Sequence, residues 1–75
     1  MESMRYAVIY ETAESHGVSA YAPDLPGCIA TGKTLEECRA RMAEAISFHL
    51  EGLKRHGLPI PRPTSLADNV EVEAA

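Results

Sequence analysis

In this 75-residue sequence the side chains suited to metal binding or catalysis are two cysteines, three histidines and eleven carboxylates. His49 and His56 are seven positions apart, so on a helix they share a face but stand two turns, about 10 Å, apart. Neither an i,i+4 histidine pair nor a CxxC motif occurs, and a zinc site needs such spacings. One part-buried and one helix-terminal histidine is the plainer reading. Cys28 and Cys38 are too few for a disulfide scaffold and lack zinc spacing. Cys38 falls in the first turn of a predicted helix, a position where the positive end of a helix dipole can activate a thiol. It also lies on that helix's apolar stripe, where a buried cysteine behaves as a small hydrophobe. Ser15, Ser19, Ser47 and Ser65 have no neighbouring nucleophile-elbow pattern. A hydrolase would have to be assembled from Asp24, Glu11 and His16, and two-metal chemistry needs several converging carboxylates. Asp24 more naturally accepts backbone N–H bonds within its turn. Gly27 and Gly32 are not followed by the residues of a phosphate loop. No catalytic, cofactor or metal site is expected, and a structural or protein-binding module is the better class.

Composition agrees. A chain of this length forms one domain and buries only about 60% of its unfolded surface, which makes a lone core marginal. Without disulfides or a metal, oligomerisation is the expected support. The net charge of −4 and seven scattered basic residues argue against direct nucleic-acid binding, since phosphate neutralisation needs clustered Lys and Arg. No apolar run approaches a membrane span, and no signal core follows Arg5. The expectation is a small, soluble, cytoplasmic protein with no membrane contact and with thiols suited to a reducing compartment.

The elements that would position these residues are legible. Residues 5–12 (RYAVIYET) are rich in β-branched and aromatic types. Tyr6, Val8 and Tyr10 fall on one face and Ala7 and Ile9 on the other, which suggests a central strand. Residues 14–17 turn the chain into a second strand at 18–22. Pro26 and Gly27 fit the centre of a type II turn, and a short third strand follows at 28–32. Thr34 and Glu37 make a capping box. Leu35, Cys38, Met42, Ala45, Ile46, His49, Leu50 and Leu53 then recur at helical spacing. Acids open this helix and bases close it, matching the dipole. Gly57 ends it and Pro59 lies beyond. Residues 59–63 form an extended connector, and 69–73 (NVEVE) alternate as a short fourth strand. The predicted order is β-β-β-α-β, an α+β fold with one long helix packed on a small, mostly antiparallel sheet.

Several blocks together closely resemble the HicB family of antitoxin-type proteins. They are residues 6–11, YAPDLPGC at 21–28, GKTLEE at 32–37, AEAI at 43–46 and GLPIP at 57–61. The resemblance covers about residues 4–63 of a single domain spanning 1–75. It implies a partial ribonuclease-H-like fold without the nuclease's catalytic carboxylates. It also implies an antitoxin of a type II system that binds and masks HicA, a small basic mRNA-cleaving toxin. Many members form dimers or tetramers, so a homodimer or tetramer is implied here, and many add a C-terminal DNA-binding segment. Only twelve residues follow Pro63 here, so a short form without that module is expected. The alternative is an orphan, homo-oligomeric HicB-fold protein with a structural or ligand-binding role and no toxin partner.

The residues expected to contact a partner are Tyr21, Asp24, Leu25 and Gly27 at the turn, with Glu71 and Glu73 on the last strand. Each has a plainer reading. Turn chemistry alone accounts for every turn residue but Leu25, and charge on an edge strand is routine protection.

Overall fold

The computed structural model describes residues 3–15 and 17–74; His16 lies outside them. Three strands, β1 (Ile9–Ala13), β2 (Gly17–Tyr21) and β3 (Ile29–Gly32), precede one long helix, α1 (Leu35–Arg55). The sheet is an antiparallel meander in the order β1-β2-β3. Its register pairs Tyr10 with Ala20 and Ala20 with Ala30, and sets Ile9, Tyr21 and Ile29 in one row across all three strands. Because side chains alternate along a strand, the rows through Val18 and Ala20 face α1. The rows containing Tyr21 and Ser19 face away from it.

The punctuation is local chemistry. Leu25 N–H donates to the Ala22 carbonyl and Cys28 N–H to the Leu25 carbonyl, each at 3.0 Å. These are two successive β-turns, and Gly27 takes φ +83° at the third position of the second, as a type II turn requires. The Thr34 hydroxyl accepts the Glu37 N–H at 3.1 Å. Glu37 reaches back one residue further than a capping box predicts, accepting the Lys33 N–H at 2.8 Å. It also lies 3.6 Å from Arg41. At the other end Leu58 N–H returns to the Leu53 carbonyl and Gly57 N–H to that of Lys54. This is a Schellman closure, with Gly57 at φ +66°.

The core is small: Val18, Ala20, Ala22, Leu25, Cys28, Cys38 and Met42. Tyr6, Val8, Tyr10, Ala30, Ala45, Ile46 and Leu50 pack around it. On α1 only Cys38 and Met42 are buried, and Leu35, expected on the buried stripe, is exposed.

Two sequence expectations need correction. The first strand is not central: β1 is an edge, and β2 sits in the middle. Its apolar residues on both faces reflect an outer sheet face that a single chain leaves uncovered. The second correction concerns residues 69–73, which form no strand. They are exposed, so the alternating pattern is present without a ladder to join. The radius of gyration, 14.4 Å, exceeds the roughly 11 Å of a compact domain of this length. The molecule is elongated, 51 × 26 × 20 Å along its principal axes.

Candidate functional site

The turn between β2 and β3 holds residues expected to meet a partner, and the structure gives two of them internal work. Leu25 is fully buried. It plugs the sheet–helix core instead of facing a partner, because the paired turns fold its side chain inward. Asp24 grips the C-terminal segment forty residues on. Its carboxylate accepts the backbone N–H groups of Ser65 (2.8 Å) and Thr64 (2.9 Å) and both their hydroxyls (2.8 and 3.0 Å). The Ser65 N–H, then the Thr64 N–H, then the Ser65 hydroxyl hold its pKa down to about 2, since each bond favours the charged form. The sequence reading placed these bonds within the turn, but they reach across the molecule. Tyr6 reinforces the same return, donating its hydroxyl to the Pro61 carbonyl at 2.5 Å. Gly27 stays exposed at the turn's tip.

Beyond that latch the chain becomes an arm. Leu66, Val70 and Val72 are 92%, 84% and 76% exposed, and Glu71 and Glu73 alternate with the valines. Where it starts, Ala67, Asp68 and Asn69 face Val8, Ile9 and Tyr10 across a groove beside β1. Tyr21, the remaining predicted contact, stands exposed on the outer sheet face in the row with Ile9 and Ile29.

Phe48 is not among the residues the sequence pattern singles out. It is 80% exposed on the solvent face of α1, with Glu44 four residues before it and Glu51 three after, both exposed. At those spacings all three share one helix face. Ala43 and Ser47 complete the shallow groove around them. The available signal was position: Phe48 falls between the stripe residues Ile46 and His49, where a core-facing helix carries polar groups. An exposed aromatic framed by acids has the composition of a protein-contact patch.

The groups with catalytic chemistry are placed otherwise. Among the described residues no three of His, Cys, Asp or Glu converge as a metal site. Cys38 is fully buried, with its Sγ 3.8 Å from the Ala30 carbonyl it can donate to. Cys28 is also a buried free thiol, and burial pushes its pKa up, which disfavours the thiolate a nucleophile needs. Among the described residues no helix is long and apolar enough to cross a membrane.

The family described as "HicB_like antitoxin of bacterial toxin-antitoxin system" matches over residues 6–74. A UPF0150 protein of Thermoplasma acidophilum is 38% identical over 71 residues, covering 95% of this chain and all of that protein. A second UPF0150 protein, from Archaeoglobus fulgidus, is 38% identical over 48 residues, 64% of this chain and 70% of its own. A 14.9 kDa protein from the rep-hol intergenic region of Haemophilus phage HP1 is 37% identical over 59 residues. That match spans 79% of this chain but only 44% of the phage protein.

Proposed function

Because the chain belongs to the HicB-like antitoxin family, we propose that it is a non-enzymatic cytoplasmic antitoxin that binds and masks a basic, HicA-like mRNA-cleaving toxin. The observation that carries this reading is the exposed face of α1. Phe48 supplies a large apolar anchor, and Glu44 and Glu51 supply the negative rim. A basic toxin surface complements both, since charge steers encounter and a desolvated aromatic holds the complex.

Co-purification with a HicA-like protein encoded beside it is the test. Phe48 is too exposed to support the fold, so Phe48→Ser leaves the chain folded. Loss of an aromatic anchor costs about 2 kcal/mol or more, which is roughly a thirtyfold weaker Kd. Failure of the intact chain to bind such a toxin refutes the antitoxin role. Undiminished binding by Phe48→Ser moves the contact off α1.

The second reading is a homo-oligomeric protein of the same fold without a toxin. It is favoured by the outer-face row of half-buried Ile9 with exposed Tyr21 and Ile29, which suits self-association as well as a foreign partner. Stable assembly of the purified chain together with indifference to HicA-like proteins is its signature.

A further inference from the structure

The C-terminal arm has the residue pattern of a strand and no ladder, while the sheet stops at three strands with β1 on its border. From this juxtaposition we infer that two copies of the chain exchange their arms, residues 66–73 of each adding a fourth strand to the outer edge of the other's β1. The inference stands independently of the toxin reading.

The arm is built for pairing. Val70 and Val72 alternate with Glu71 and Glu73, so an extended chain puts the valines on one face and the acids on the other. The two valines and Leu66 are almost wholly exposed in the single chain. Asp24 fixes the root of the arm through Thr64 and Ser65, so the arm leaves the body from one defined place.

The ladder identifies the receiving edge. Just past β2 and β3, Ala22 N–H donates to the Cys28 carbonyl. Hydrogen-bonded pairs alternate in an antiparallel ladder, so even-numbered residues of β2 bond β3 and its odd-numbered residues bond β1. The backbone groups of Tyr10 and Thr12 therefore point out from the free edge of β1, and those of Ile29 and Thr31 from the free edge of β3. The β3 edge is guarded: Arg41 Nη1 donates to the Thr31 carbonyl at 3.1 Å, and a charged group there opposes an incoming strand. The β1 edge is also where the arm itself departs, Ala67–Asn69 lying across the groove from Val8–Tyr10. A two-fold axis beside that edge brings each arm to the other copy's β1.

Charge and apolarity agree on the orientation. Arg39 is exposed on the helix side of β1, its guanidinium carbon 5.9 Å from the Tyr10 ring centre. A strand laid on this edge with Glu71 and Glu73 toward Arg39 turns Val70 and Val72 to the outer face. There the valines extend the row of Ile9, Tyr21 and Ile29. Acidic arms from a chain of net charge −4 need such a cation to approach a copy of themselves. Two-fold symmetry then makes each contact twice.

Light scattering on the intact chain tests the exchange. The expected mass is twice the 8.1 kDa of one chain. Val70→Asp with Val72→Asp should return the single-chain mass with unchanged helical circular dichroism, since both residues are exposed before exchange. Arg39→Glu should weaken the dimer about tenfold, and adding Glu71→Arg and Glu73→Arg should restore it. A monomeric wild type overturns the inference, including one whose arm becomes protected only with a toxin present. So does a dimer that survives the double valine substitution or ignores Arg39→Glu.

Discussion

Gly32 ends β3 where the backbone of α1 packs tightly against it, and replacing it by alanine is a sharp test of how the two layers meet. A Cβ built there falls 2.7 Å from Cys38 N, 3.0 Å from Cys38 Cα and 3.2 Å from the Glu37 carbonyl carbon. These are backbone atoms, so no side chain can swing aside. Restoring the 3.4 Å at which ordinary contact begins means moving the start of α1 by 3.4 − 2.7 = 0.7 Å. That first turn is tied down by the Thr34 cap and by the Glu37 bond to Lys33, and the fully buried Cys38 and Met42 hang from it. Overpacking of this kind costs about 1–3 kcal/mol. The stiffer unfolded chain of alanine returns about 0.4–1 kcal/mol. At about 4–8 °C per kcal/mol for a domain of this size, a net loss near 1–2 kcal/mol lowers Tm by roughly 4–16 °C. Gly52, inside α1 with nothing within 4 Å of its added Cβ, is the internal control. Gly52→Ala should raise stability by about 0.5–1 kcal/mol through helix propensity. Thermal unfolding followed by circular dichroism, at one fixed protein concentration because association shifts Tm, reads both. If Gly32→Ala is as stable as Gly52→Ala, the close approach of α1 to β3 is refuted.

Two further predictions come from the turn. Leu25→Ala removes a fully buried side chain and should cost about 2–5 kcal/mol, seen as a large drop in Tm of the isolated chain. A variant that melts like the wild type but loses its partner would return Leu25 to the contact surface. Asp24 has a folded pKa near 2 against an ordinary 3.8. A depressed carboxylate contributes stability that is complete above the unfolded value and is lost as pH falls through the folded one. Thr64 and Ser65 amide protection should therefore hold at neutral pH and collapse between about pH 4 and 2, whereas Asp24→Asn should lose it at every pH. Protection that survives Asp24→Asn would show that another contact holds the segment.

The local devices were legible in the sequence because each is decided within a few residues. Gly27 in its turn, Thr34 capping α1 and Gly57 closing it are short-range hydrogen-bond problems. The helix boundary at residue 35 follows from them. The expected exposure of the candidate contact residues was legible in part. Tyr21 and the acids of the arm are exposed as read, while Leu25 is not. The exposure of Phe48 depends on its lying off the buried stripe of α1.

What the sequence by itself determined was the α+β composition, the three hairpin-linked strands, the long capped helix and the family. Those depend on periodicity and on short-range backbone chemistry. Tertiary structure decided which strand is an edge, that Leu25 points inward, that Asp24 reaches residues forty positions away, and that the last alternating segment stands free. Each of these depends on what packs against a face or pairs along an edge. Alternation specifies a strand's two faces and says nothing of its neighbours: Val70 and Val72 read as strand residues whether a ladder meets them in their own chain, in another chain or nowhere.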